Sequence, residues 1–164
     1  MTLTTQATEW LTRFEEATAG PSAEALRDLF EPESFWRDLT SISWNITTAE
    51  GINEIVAMVE ATHPRSQLRN IELSDEPADE GDGVTRISFT FDSLDFHCKG
   101  IVRLRNGRAW TVLTSAQELI SYPEPRGRRV KSAGVVYLPF DKTSSMTVSG
   151  TGTSPMVRLA HATS

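Results

Sequence analysis

Apolar positions recur at three- and four-residue intervals near the start of the chain. Ala7, Trp10, Leu11, Phe14 and Ala17 form one stripe, which predicts an amphipathic helix capped by Thr4 or Thr5. Gly20-Pro21 ends it. Ser22 then caps a second, shorter helix with Leu26, Leu29 and Phe30 on one side, and Glu31-Pro32 stops that. From Phe35 to Asn45 the period changes to two. Trp36, Asp38, Thr40, Ile42 and Trp44 share one face of an extended chain, and Phe35, Arg37, Leu39, Ser41 and Ser43 the other, which predicts a strand bent in its middle. Thr47 with Glu50 three residues later reads as a capping box. Ile52, Ile55, Val56 and Val59 then supply the buried stripe of a third helix, closed by Thr62-His63-Pro64.

Strand patterns follow. Gln67 to Ser74 is the first, and the acidic stretch Asp75 to Gly83 reads as a loop. Val84 to Asp92 alternates with Ile87, Phe89 and Phe91 inward, and Asp95 to Arg105 alternates with Phe96, Cys98, Val102 and Leu104 on one face. Asn106-Gly107 is a two-residue hairpin signal, leading into a strand over 108–121 whose Trp110, Val112, Thr114 and Ala116 share a face. This order describes an α+β domain over residues 1–122, a curved antiparallel sheet wrapped over three helices that encloses a pocket. Residues 123–164 read as a flexible tail, basic at first and then rich in Ser, Thr and Gly, with Val135 to Leu138 as an optional edge strand.

Composition narrows the function classes. The chain has 164 residues and one cysteine, Cys98, which excludes an internal disulfide and a cysteine-based zinc cage. No apolar run is long enough to span a membrane, and Met1 to Trp10 lacks the basic start and apolar stretch of a secretory signal, so a cytoplasmic location is expected. Residues 1–121 carry 10 Lys+Arg against 20 Asp+Glu, whereas residues 122–164 carry 6 against 2. An acidic body repels a phosphate backbone, which argues against nucleic acid as its partner. The cluster Arg126, Arg128, Arg129 and Lys131 reads as a solvated linker.

Asp38 stands out as a carboxylate among aromatic side chains. Desolvation there raises a carboxyl toward the range useful for proton transfer, while a structural acid paired with an Arg or a backbone N–H fits the same position. His97 falls on the polar side of its strand with Asp95, Lys99 and Arg103. It is either a surface histidine or the partner of Asp95 in acid/base work. Trp36, Trp44, Trp110, Phe89 and Phe91 are candidate pocket-lining residues for a flat, apolar small molecule, and equally candidate core. His63, before a proline at a helix end, suits capping. The three histidines lack ligand spacing, so no metal is expected, and Cys98 reads as an inert buried thiol. Arg37 pairs with an acid or holds a partner; the sequence leaves both open.

Phe35-Trp36-Arg37-Asp38-Leu39, Ser43-Trp44-Asn45, the helix over 51–61, and 107–114 resemble the cone-shaped domain of the SnoaL-like and nuclear transport factor-like superfamily. With Gly127-Arg128-Arg129 they are most similar to the version at the N-terminus of flavin-containing monooxygenases. That resemblance implies a pocket domain for an apolar small molecule in secondary metabolism, a separate flavoprotein as partner, and a homodimer. A flavin is not expected in this chain, because Gly150-Thr151-Gly152 lacks the third glycine of a dinucleotide-binding turn and meets Pro155 where a helix should start. Two functions follow from the resemblance. One is a stand-alone binding domain, accessory to or truncated from such a monooxygenase. The other is a cofactor-independent isomerase, dehydratase or cyclase in which Asp38, and His97 with it, move protons on a polyketide- or terpenoid-like substrate.

Overall fold

The computed structural model describes residues 1–123. The basic cluster, the Gly150-Thr151-Gly152 echo, the optional strand at Val135 and the rest of the predicted tail lie outside them. Two helices come first, α1 (Leu3–Ala19) and α2 (Ala23–Leu29). Thr2, not Thr4 or Thr5, caps α1 by accepting from Thr5 N, and Ser22 caps α2 by accepting from Ala25 N. The chain then runs through β1 (Phe30–Leu39), β2 (Ile46–Glu50), α3 (Ile52–Ser66), β3 (Arg69–Leu73), β4 (Ala78–Gly81), β5 (Val84–Asp92), β6 (Phe96–Arg105) and β7 (Arg108–Leu119).

The strands form one curved sheet ordered β2-β1-β7-β6-β5-β3, with β4 paired to β5 off that path. The sheet is mixed, which corrects the antiparallel expectation. β1 and β7, far apart in sequence, run parallel with Trp36 opposite Val112 and Asp38 opposite Thr114. A parallel neighbour needs a long crossover, and alternation within one strand carries no information about its direction.

Three local readings also change. The extended run stops at Leu39, and residues 40–45 turn back on themselves, so that Thr40 N donates to Asn45 O at 3.1 Å. Thr47 to Glu50 is strand β2 rather than a capping box. Gly51 caps α3 instead, at φ +80, a backbone region costly for a residue with a Cβ. The expected loop over 75–83 contains β4. Asn106 (φ 52) and Gly107 (φ 78) do form the two-residue turn between β6 and β7.

Helices and sheet meet over a core of aromatic rings. Trp10 stacks on Phe14 at 4.9 Å, Phe14 lies 5.5 Å from Trp36, and Trp36 stacks on Phe30 at 6.0 Å. Phe89 closes the group, 6.2 Å from Phe14 and 5.8 Å from Phe91. Phe14, Phe30, Trp36, Phe89 and Phe91 are all fully or almost fully buried. Each such side chain contributes about 1.5–3 kcal/mol by leaving water. The Phe89 ring also lies flat over Gly100 on β6, where an added Cβ would fall 2.2 Å from Phe89 Cζ.

Candidate functional site

The buried carboxylate of Asp38 is saturated with hydrogen-bond donors. Oδ1 accepts from Ser41 N at 3.2 Å, from Thr114 Oγ1 at 2.7 Å and from Ser41 Oγ. Oδ2 accepts from Ile42 N at 3.1 Å, Ser43 N at 2.9 Å and Ser43 Oγ at 2.7 Å. Three donors on each oxygen exceed the roughly four lone-pair sites of a carboxylate and leave none over, and no cation is among them. Trp36 Nε1 donates to Thr114 Oγ1 at 2.9 Å, which completes a chain from indole to hydroxyl to carboxylate. Asp38 thus fastens the 40–45 loop to the parallel β1–β7 pair. The sequence pointed to Asp38 as buried; it pointed neither to Thr114 nor to the serines, because their roles depend on the loop folding back.

The five aromatic side chains expected to line one pocket do not surround a common space. Trp36, Phe89 and Phe91 belong to the packed interior. Trp44 sits on the 40–45 loop at φ +58, is 53 % exposed, and lays its ring 4.9 Å from Phe96. Trp110 leaves the face it was expected to share with Val112. β7 carries one extra residue between Ala109, opposite Leu104, and Thr111, opposite Arg103. That bulge turns Ala109 inward and puts the Trp110 ring 4.6 Å under the Arg105 guanidinium. Glu31 also binds Arg105, and its hydrogen bond keeps the guanidinium protonated to higher pH than usual.

His97 lies on the outer side of the sheet, as its parity predicts, but its partner is Asp92 rather than Asp95. His97 Nδ1 and Asp92 Oδ1 are 2.6 Å apart, across the β5–β6 pair in which these two residues are opposite. Asn70 Nδ2 donates to Asp92 Oδ2 at 2.9 Å. Burial pushes the Asp92 carboxyl up, but the hydrogen bonds from Asn70 and His97 and the charges of His97 and Arg69 outweigh it and hold it below its usual 3.8. A cleft of about 540 Å³ adjoins the group. The signal for Asp92 was present in the sequence, since a short turn between two alternating strands brings residues 92 and 97 together. Asn70 lies beyond local inference.

Between α1 and the sheet, at the β6–β7 hairpin end, is a cavity of about 330 Å³. Trp10 and Leu104 give it apolar walls, and Gln6, Glu9, Arg13 and Thr85 bring polar groups to it. Gln6, Glu9 or Trp10, and Arg13 are spaced to share one helix face, which the core stripe partly concealed. Among the described residues no three His, Cys, Asp or Glu side chains gather as metal ligands, and no helix is long and apolar enough to cross a membrane.

No model of a protein family matches the sequence, and no curated protein matches it. Solved structures do match. An NTF2-like protein of unknown function from Shewanella baltica aligns at 12% identity over 71% of this chain and 98% of its own, with a TM-score of 0.53. The fold is the NTF2-like cone. A domain of unknown function with a cystatin-like fold from Nostoc punctiforme shares it at 11% identity, over 74% of this chain and 82% of that one, with a TM-score of 0.57. So does a hypothetical protein with a ketosteroid isomerase-like fold from Catenulispora acidiphila, in complex with trimethylamine. It aligns at 14% identity over 66% of this chain and 85% of that one, with a TM-score of 0.50. Within the NTF2-like cone of this chain the interior is occupied by its own aromatic rings, and open space lies at the α1 end and on the outer face.

Proposed function

We propose that this chain is a small-molecule-binding domain in which the buried aspartate is structural, and that its ligand sits in the cavity between α1 and the β6–β7 hairpin. The observation that carries this reading is the saturation of Asp38. A carboxylate with three donors on each oxygen, locked to its own loop, has no lone pair directed at a ligand. Proton-transfer chemistry at Asp38 would require that network to open. The cavity at α1, by contrast, combines apolar walls with a carboxylate, a guanidinium and an amide, the mixture that orients a small organic molecule.

The partner in this proposal is a separate flavin-containing monooxygenase, on the strength of the resemblance over Phe35 to Leu39, Ser43 to Asn45 and 107–114. A homodimer belongs to the same proposal, because Phe35, Ile46 and Leu113 expose apolar side chains on the β1–β2–β7 half of the outer face. Native mass spectrometry with an absorption spectrum tests the ligand. The expected result is a retained organic molecule without flavin, lost in Trp10→Ala. A protein that retains nothing, and binds no member of an apolar compound library, refutes the reading. Co-purification with a flavoprotein and light scattering test the two partners.

A further inference from the structure

From the geometry we infer a second site, separate from the cavity at α1, in which the Asp92–His97 pair activates water against a small neutral or cationic carboxylic ester. The inference does not rest on a ligand at α1. A carboxylate only accepts, so the proton between His97 Nδ1 and Asp92 Oδ1 belongs to the imidazole. With Nδ1 so engaged, Nε2 is the ring nitrogen left to act as a base, free of that bond, and the His97 side chain is 53 % exposed. Asp92 is in turn fixed by the Asn70 amide. A base oriented by a carboxylate that is itself oriented is the arrangement general-base catalysis needs.

Two independent irregularities of the sheet converge on this pair. β3 carries an extra residue between the Arg69–Asp92 and Glu72–Thr90 pairs, and Asn70 within it is left-handed at φ 54, which aims its amide at Asp92. β7 carries an extra residue, Gln117, between the partners of His97 and Cys98. Bulges re-aim side chains where a regular ladder would not. The cleft they border is lined by Glu72, Lys99 and Glu118 as well as the pair. Lys99, two residues on from His97 along β6, lies on the same side of the strand. Its ammonium would face an oxygen developing negative charge, while Glu72 repels a substrate that arrives as an anion.

The step balances without a co-reactant. His97 Nε2 takes a proton from water as the water oxygen bonds to the acyl carbon, and the carbonyl electron pair moves to its oxygen beside Lys99. The intermediate collapses, the bond from acyl carbon to alcohol oxygen breaks, and the Nε2 proton goes to the departing alkoxide. Ester and water become acid and alcohol.

The test uses p-nitrophenyl acetate with the full chain. Hydrolysis above the buffer rate is expected, falling about a hundredfold in His97→Ala and returning in part, above the rate of imidazole alone, when free imidazole is added, because a positioned base contributes about 10²–10⁴-fold. Asp92 and Asn70 are positioning residues. Asp92→Asn should lower kcat about tenfold with KM little changed. A wild-type rate no greater than buffer overturns the inference, and so does a His97→Ala rate equal to wild type. A folded His97→Ala that imidazole fails to rescue also counts against it.

Discussion

Thr114 on β7 donates its hydroxyl to Asp38 on β1 at 2.7 Å while receiving the Trp36 indole N–H at 2.9 Å. One hydroxyl thereby joins a core ring to the carboxylate that organises a surface loop. Residues 76 apart in sequence become a single polar unit inside an apolar core, with every partner supplied by the protein. Such units are costly when incomplete, since each group left without a partner keeps its desolvation penalty.

Asp38→Asn should therefore destabilise the fold. An amide turns one acceptor into a donor that faces donors already in place. The expected loss is about 1.5–3 kcal/mol, the range for hydrogen bonds to a charged group. Thr114→Val keeps the shape and removes the bridge, and should cost about 1–3 kcal/mol. Urea denaturation measures both. Ligand retention at the α1 cavity should survive Thr114→Val, and a variant as stable as wild type would remove the network from any structural role.

Gly100→Ala places a methyl group 2.2 Å from Phe89 Cζ, inside the packed interior. The ring cannot yield without disturbing Phe14 and Phe91. Overpacking of this kind costs about 1–3 kcal/mol. Thermal melting should show a clear drop in Tm; an unchanged Tm would mean that the ring has room to move.

Asp92 makes a specific contribution to acid stability. Its carboxyl is held below the usual 3.8, so the folded state binds that proton less readily than the unfolded chain. The stabilisation is complete above about pH 5 and is lost as the pH falls through the folded value. Asp92→Asn should narrow the difference between stability at pH 6 and at pH 3. Equal pH dependence in the two proteins, from parallel denaturation curves, would contradict the assignment.

Cys98 should be chemically silent. Burial pushes its thiol up to about 11, and the side chain is almost wholly covered. Thiol-disulfide reagents at pH 8 attack the thiolate, so modification should wait for unfolding. Rapid labelling of the native protein would show that β6 opens locally.

The two ends of the molecule differ in how far they could be read from the sequence. The α1 stripe, the Ser22 cap, the Asn106-Gly107 turn and the alternation of β5 and β6 are short-range patterns, and the structure follows them closely. The path from Leu39 to Gly51 is different. Alternation continues through Thr40, Ile42 and Trp44, yet the chain turns back, because Asp38 offers three nearby backbone N–H groups a better acceptor than a straight strand would. Trp110 misleads in the same way, since the inserted residue turns Ala109 rather than Trp110 to the face that Val112 and Thr114 continue.

The sequence by itself determined which segments are apolar on one side, where most turns fall, and that His97 shares the polar side of its strand with Lys99. Periodicity carries that information, because it arises from the geometry of a single element. Tertiary structure alone decided the partners. Parallel pairing of β1 with β7 brought Thr114 to Asp38, the β3 bulge brought Asn70 to Asp92, and ring packing filled the interior that the pattern left open. Each depends on how elements meet across long stretches of chain, and no local spacing encodes that distance.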